Sequence, residues 1–283
     1  MKEGWIFDFF KQCRSSFPDY EIIEWESEIA PHRRLILVGN QIIIHPISLI
    51  DNCSAEYAIV IQQHYAWLGI TLVHLWEDIW MHQNALVISR ISALIGYQPT
   101  HKPTFQRVFA RKTIAIKATP QQAQQFYKLN HQLGYAKQKY HYALRYEGEI
   151  LAMASFGSIR IMPSKGDQYS SSELSRFSVL QDTSIPGALS KLIKAFIHEH
   201  PVNDIMTYAD RDWTLGNTYL KVGFQLDSIQ EPQIIYYHQP SGQRFFKHRL
   251  PKYEEGKLLV EHWRELGYKQ IFNTGNLKFY YAV

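Results

Sequence analysis

The chain has 283 residues, 46% of them hydrophobic and 20% charged, with a formal net charge of +4. These are the values of a globular protein with room for a sizeable core, and they exclude a disordered chain. Charge is uneven: residues 1–100 hold 6 basic and 11 acidic residues, residues 101–239 hold 16 and 11, and residues 240–283 hold 8 and 4.

An acidic front thus precedes a basic body, whose surface suits nucleic acid or another polyanion, or is simply a mixed solvated surface. No apolar run approaches the roughly 18 residues of a membrane span, so none is expected. Met1 to Trp5 lacks a signal-peptide pattern. Cys13 and Cys53 have no metal-ligand spacing and read as free thiols of a reducing, cytoplasmic compartment.

Residues 1–30 begin with Trp5, Phe7, Phe9 and Phe10 and read as one or two helices around a Ser15-Ser16-Phe17-Pro18 break. Arg34 to Val38 and Gln41 to His45 are apolar runs joined by Gly39-Asn40, a strong hairpin signal, and Pro46 is expected to stop the second strand. Ala58 to Leu68 is expected to be helical and Gly69 to Leu75 a buried strand. A helix opens at Trp76-Glu77-Asp78 and runs to Gly96, with Trp80, Val87, Ile88, Ile91, Leu94 and Ile95 on its apolar face. Glu77 and Asp78 suit the first turn of a helix. Beside His74 they also form a candidate catalytic or metal constellation. Tyr97 to Arg107, with two prolines and no periodicity, is the candidate linker.

Val108 to Lys117 reads as the first strand of a second domain. Thr119-Pro120-Gln121-Gln122 is a capping box, and the helix it opens carries Ala123, Phe126, Tyr127 and Leu129 inward before ending at Asn130-His131. Tyr142 to Tyr146 and Ile150 to Phe156 make a hairpin through Glu147-Gly148-Glu149, and Gly157 to Ser172 is a polar loop. Leu174 to Leu180 is a strand running into the turn Gln181 to Ser184. Pro186 and Gly187 open an amphipathic helix with Leu189, Leu192, Ile193, Phe196 and Ile197 inward, ended by His200-Pro201. A strand from Ile205 to Ala209 then delivers Asp210, followed by a Gly-Asn turn and a short helix around Tyr219 and Lys221.

The small residues Gly187, Ala188 and Ser190 let a ligand approach the backbone, and the first helical amides form an anion site that a pyrophosphate fits. A plain crossover helix can begin in the same way. Further on, Pro232 to His238 is a strand. Gln243 to Lys252 interleaves Arg244, Lys247, Arg249 and Lys252 with Phe245 and Phe246. Such a mixture can stack on bases while its charges meet phosphates, or it is an amphipathic edge strand. Leu258 to Leu266 reads as a helix and Lys269 to Tyr281 as a hairpin about Asn273 to Asn276.

The order of parts from Glu173 to Phe224 resembles the GNAT acyltransferase fold, in which a helix N-terminus after a central strand holds the pyrophosphate of acetyl-CoA. The closing Tyr219-x-x-x-Gly223-Phe224 is similar to the end of that core. The family's Arg/Gln-x-x-Gly-x-Gly/Ala loop is reduced here, from Asp182 to Ala188, to one glycine and a proline. Asn130-His131, Glu173-Leu174-Ser175-Arg176, Ser190, and Tyr208-Ala209-Asp210 followed by Gly216 and Tyr219 together resemble the Mom family, GNAT-like phage proteins that modify adenine in DNA. Gln132 stands where that family has tyrosine.

That resemblance implies that Arg176 and Ser190, with Gly187 and Ala188, contact an acyl-CoA-like donor. It implies that His131 and Asp210 bind a metal such as iron or handle protons, with Glu173 and Tyr208 in the same catalytic cleft. The stretch LVHLWEDIWMHQNALVISRISALIG, passing on to Ala110-Arg111-Lys112, resembles the end of the Vsr-like nuclease domain of phage-type homing endonucleases. Leu35 to Ser48 lacks the paired carboxylates that metal-dependent cleavage needs, so a nuclease-inactive remnant is expected.

The expected architecture is α+β: a Vsr-like α/β remnant over 1–98, a linker over 99–107, a GNAT-like mixed sheet with flanking helices over 108–240, and a basic extension over 241–283. The expected function is a DNA-acting transferase that modifies a base, using acetyl-CoA or a related acyl donor and iron, with DNA held by Arg244, Lys247, Arg249 and Lys252. The alternatives are a silent DNA-binding module and a small-molecule N-acyltransferase. No feature sets an oligomeric state.

Overall fold

A computed structural model of the chain describes residues 4–30, 35–39, 41–51, 53–97, 106–251 and 259–283. The chain begins with α1 (Gly4–Ser16), β1 (Ile22–Trp25), β2 (Leu35–Val38), β3 (Ile42–Ile47), α2 (Ala55–Trp67), β4 (Thr71–Trp76) and α3 (Glu77–Leu94). These strands form a sheet in the order β1-β2-β3-β4, antiparallel except for the parallel pair β3 and β4. A strand at Ile22–Trp25 was not expected from the sequence. Pro46 does not end β3: β2 accompanies β3 only to Ile44, and a proline is tolerated where one strand edge is open. The α3 helix departs from helical geometry at Gln83 (φ −142°, ψ 33°).

The middle of the chain holds β5 (Gln106–Arg107), β6 (Ile114–Lys117), α4 (Pro120–Asn130), β7 (Tyr140–Tyr146), β8 (Glu149–Phe156), β9 (Arg160–Ile161), β10 (Ser170–Val179), β11 (Thr183–Ser184), α5 (Ala188–Glu199), β12 (Asp204–Asp210), α6 (Asn217–Val222) and β13 (Gln225–Ile229). The expected strand over 108–117 is shorter, because a 3₁₀ turn occupies Ala110–Lys112. The last elements are β14 (Ile234–His238), β15 (Gln243–Phe246), α7 (Leu259–Glu265), β16 (Tyr268–Phe272) and β17 (Asn276–Ala282). The expected linker over 99–107 lies outside the described residues up to Phe105.

The fold is α+β, with a large mixed sheet in the order β13-β17-β12-β10-β8-β7-β6 and helices on both faces. Alternation along β7 and β8 sends Leu144, Ala152, Ala154 and Phe156 to one face and Ala143 and Met153 to the other. On the first face lies α5, whose buried residues Ala188, Leu189, Leu192, Ile193 and Phe196 repeat at helical spacing. Phe196 and Phe156 stack with ring centroids 4.0 Å apart. On the second face α4 packs through Ala123, Phe126 and Tyr127. Leu129 does not join them; it is exposed. The capping box forms as expected, with Gln122 N donating to Thr119 Oγ1 at 3.2 Å and Thr119 N to Gln122 Oε1 at 2.8 Å.

Two compact units divide the chain, and their boundaries differ from the expected ones. The first comprises Met1–Asn84, Asp210–Leu215 and Ile229–Asn276, the second Ala85–Ala209, Gly216–Ser228 and Leu277–Val283. Residues 241–283 are therefore not a separate extension. β16 pairs with β14 in a three-stranded sheet of the first unit, whereas β17 enters the large sheet between β12 and β13. The expected hairpin over 269–281 does not form, because Thr274 gives both its N–H and its hydroxyl to Asp212 Oδ1, at 2.7 Å each.

Candidate functional site

In the second unit, β10 and β12 pair in parallel from Ser171–Leu174 to Asp204–Thr207 and then part. β10 continues with β8 through a bulge between Leu174 and Arg176, which leaves Ser175 extra. A bulge adds local twist, and this one falls where the pairing with β12 ends. Thr207 Oγ1 donates to the Leu174 carbonyl across the last pair at 2.8 Å.

A cavity of about 380 Å³ lies beyond this point. Phe177 and Val179 of β10, the turn from Asp182 to Gly187, the first residues of α5, and Thr218 and Val222 of α6 line it. Ser89, Ser92, Ala93, Gly96 and Tyr97, from the end of α3 and just after it, complete the wall.

Hydrogen bonds hold the turn. Gln181 N donates to Asn130 Oδ1 at 2.9 Å, and Asp182, at φ 55°, donates its N–H to Ser89 Oγ at 3.3 Å. Gly187 caps α5 at φ 85°, a left-handed conformation that costs other residues about 1–2 kcal/mol. The Gly187 cap has no side chain with which to bond the first amides of α5. The N–H groups of Leu189 and Ser190 lie in the first turn, where a helix offers no internal partner, and both residues line the cavity. The positive end of the helix dipole is therefore at the cavity wall.

Gly187, Ala188 and Ser190 all line the cavity. Arg176 does not reach it. Its Nε donates to the Gly134 carbonyl at 3.1 Å and its Nη1 to the Ser175 carbonyl at 2.7 Å, which fastens the loop after α4 to β10. Phe177 and Val179 take the cavity wall in its place. Glu173 lies within the paired stretch opposite Met206, and Tyr208, exposed, follows the last paired residue of β12.

His131 caps α4, its Nδ1 accepting from Leu133 N at 3.1 Å. Burial, with Arg176 and Arg90 adding repulsion, pushes its pKa down to about 3, so it is neutral and weakly basic near neutral pH. Asp210 Oδ1 accepts from Asp212 N at 3.1 Å, closing the turn after β12. His131 belongs to the second unit and Asp210 to the first. Among the described residues no group of three or more His, Cys, Asp or Glu side chains is arranged to hold a metal ion. Nothing among the described residues supports the implied iron at His131 and Asp210, and a hydrogen bond to each side chain closes a local turn.

Two features of the second unit escaped the sequence reading. One is the α3 wall, whose small residues Ser89, Ser92, Ala93 and Gly96 recur at helical spacing and could have been noticed. The other is a buried polar chain. His141 Nδ1 and Ser155 Oγ lie 2.7 Å apart, Ser155 Oγ donates to the Tyr127 hydroxyl at 2.9 Å, and Tyr127 donates to the Arg176 carbonyl at 3.4 Å. Burial raises the Tyr127 phenol above its ordinary range and lowers His141.

In the first unit, Arg244 makes a two-pronged pair with buried Asp78, at 2.6 and 2.8 Å. Its expected role on DNA phosphate is corrected, since the guanidinium is already engaged. Glu77 accepts from Leu49 N at 2.8 Å, so neither carboxylate joins His74 in a metal constellation. His74 instead has its Nδ1 2.9 Å from that of His45, and burial holds its pKa well below the usual value. Lys247 and Arg249 are exposed in a 3₁₀ turn; Lys252 lies outside the described residues. Among the described residues no helix is long and apolar enough to cross a membrane.

No protein-family model matches the chain, and no curated protein matches it. Solved structures similar to it include acetyltransferases. A GNAT family acetyltransferase from Elizabethkingia anophelis with acetyl-CoA bound is 13% identical over 61% of this chain and 99% of that one, with a TM-score of 0.34. An acetyltransferase from Bacillus subtilis in complex with CoA is 12% identical over 61% and 99%, with a TM-score of 0.38. The ribosomal-protein-S18-alanine N-acetyltransferase from Escherichia coli is 10% identical over 60% and 94%, with a TM-score of 0.34.

Proposed function

We propose that the second unit is an N-acyltransferase that takes its acyl group from a CoA thioester and gives it to a small amine-bearing acceptor. The observation that carries this reading is the cavity of about 380 Å³, which runs from the uncapped start of α5 at Leu189 and Ser190 to Phe177 and Val179, on the strand that parts from β12. A CoA thioester has the matching order of parts. Its diphosphate suits the helix amides, its narrow pantetheine arm suits the apolar wall, and its thioester then lies towards the gap between β10 and β12.

In the reaction the acceptor nitrogen attacks the thioester carbonyl. A C–N bond forms, the C–S bond breaks, the nitrogen releases one proton to solvent, and the departing thiolate takes one up, so that no net proton is gained or lost. We assign the supply of that proton to Tyr219, which lies on α6 between Thr218 and Val222 of the cavity lining. Its hydroxyl bonds to Thr207, the last paired residue of β12, and burial raises its pKa, so the phenol stays protonated. Tyr208 and Glu173, on either side of the parting point, are the candidates for holding the acceptor.

The test is calorimetric titration of the full chain with CoA, followed by thiol-release assays with acetyl-CoA and a panel of amines. Saturable binding and amine-dependent release are expected. Absence of CoA binding would sink the reading. A second reading makes the acceptor a nucleobase amine in DNA. It draws on the exposed turn Lys247-His248-Arg249 and on Phe246, which stacks on His248 with rings 6.2 Å apart and nearly parallel. Mass spectrometry of nucleosides from DNA incubated with the protein and acetyl-CoA distinguishes the two.

A further inference from the structure

The outer side of the turn before α5 carries a feature that the acyl-transfer reading does not use. The segment from Gln106 to Ala110 runs alongside this turn as an extra strand. The N–H groups of Gln106, Val108 and Ala110 donate to the carbonyls of Asp182, Ser184 and Pro186, at 3.0, 3.0 and 3.1 Å. Alternation then divides the side chains. Val108 and Ala110 are buried, while Arg107, Phe109 and Arg111 are exposed.

The three exposed residues form one group. Phe109 is 40% exposed, and the guanidinium carbons of Arg107 and Arg111 lie 5.5 and 5.1 Å from its ring centroid. The group is tied to the start of α5. A Cβ placed on Gly187 would stand 3.4 Å from that of Ala110. Lys191 Nζ, from the first turns of α5, donates to the Ala110 carbonyl at 2.9 Å and to the Thr113 carbonyl. An exposed aromatic ring between two guanidinium groups offers a stacking face for a planar base and two forked donors for a phosphate. It stands beside the turn proposed to hold the diphosphate.

Resting on the donor reading above, we propose that Arg107, Phe109 and Arg111 bind the 3′-phosphoadenosine end of the CoA donor. Phe109 stacks with the adenine, and the two arginines grip the 3′-phosphate. This rim, rather than the cavity, then makes the protein prefer a 3′-phosphorylated donor.

The test is titration of the full chain with CoA and with dephospho-CoA, which differ only in that phosphate. Wild type is expected to bind CoA at least about tenfold more tightly, the worth of one charge-assisted contact. Arg107→Ala with Arg111→Ala should bring the two affinities together while leaving that for dephospho-CoA nearly unchanged. Arg111→Lys, which keeps the charge, should retain part of the preference, and a thermal melt confirms that each variant is folded. Phe109→Ala should weaken both ligands by a similar factor. Equal binding of the two ligands by wild type, or a preference that survives the double substitution, overturns the rim proposal and leaves the donor site standing. Failure of wild type to bind either ligand overturns the donor reading and the rim with it.

Discussion

Replacing Ser190 with aspartate sets the stability of α5 against its proposed ligand. Ser190 is the third helical residue after the Gly187 cap, which has no side chain to bond the first amides. In the empty protein a carboxylate there meets the positive end of the helix, which stabilises the fold by about 0.3–1 kcal/mol. For a chain of this size the melting temperature should rise by about 1–4 °C. With a diphosphate at the same amides the sign reverses. A carboxylate about 4 Å from one phosphate charge, in a partly exposed site, costs about 4 kcal/mol, or nearly a thousandfold in affinity. Ser190→Ala removes only the hydroxyl, and its loss should stay within about 1.5 kcal/mol. Thermal melts of the unliganded variants and calorimetry with CoA measure both effects. An aspartate variant that melts lower than wild type and binds CoA equally well would refute the assignment of this helix start as an anion site.

Ala93→Trp should fill the cavity from the α3 wall, abolishing CoA binding while changing the melting temperature little; unchanged CoA affinity would place the ligand elsewhere. His131 has a folded-state pKa of about 3 against an ordinary 6.5, so its contribution to stability is present above about pH 6.5 and is lost as pH falls towards 3. Melts from pH 3 to 7 should show less acid destabilisation in His131→Asn, which keeps an acceptor for Leu133 N, and parallel curves would contradict the buried neutral imidazole. Arg244→Ala should cost about 3–5 kcal/mol in chemical denaturation, because Asp78 is left buried and unpaired. Lys247→Ala with Arg249→Ala should leave stability unchanged and, if the protein holds DNA there, flatten the salt dependence of binding.

What the sequence made legible was local. The capping box at Thr119 to Gln122 and the α5 pattern from Leu189 to Phe196 are written in residues a few positions apart, and both form as read. The path of residues 273–276 was not legible, although Asn273-Thr274-Gly275-Asn276 has the composition of a turn. Its partner Asp212 stands 62 positions away, and a hydrogen bond across that distance leaves no periodic trace. The side taken by Arg176 was hidden for a different reason. The bulge at Ser175 shifts the register by one, so counting by twos along Glu173-Leu174-Ser175-Arg176 no longer tells which side chain faces the cavity. Arg244 was misread because its spacing with Phe245 and Phe246 is the same whether it meets a phosphate or a buried aspartate. Only the fold brings Asp78 to it, from 166 positions upstream.

The basic surplus of the middle of the chain changes meaning once its charges are placed. Read along the sequence, 16 basic residues against 11 acidic ones over 101–239 suit DNA. In the fold, exposed Arg107 lies on the strand that borders the turn before α5, exposed Arg111 and Lys112 follow that strand, and Lys191 and Lys194 lie on α5 itself. Lys191 is turned to backbone carbonyls and serves to hold that strand in place. Arg107, Arg111 and Lys112 stay exposed beside the turn that leads into α5 and its cavity of about 380 Å³. A CoA thioester is itself a compact polyanion, with a diphosphate and a further phosphate on one small molecule. It satisfies the same electrostatic signature without a long binding groove. The field of these residues should speed its capture at low ionic strength and lose that effect as salt shortens the screening length to about 8–10 Å. The binding rate of CoA, followed against salt in wild type and in Arg107→Ala with Arg111→Ala, therefore tests whether this part of the basic surplus belongs to the donor.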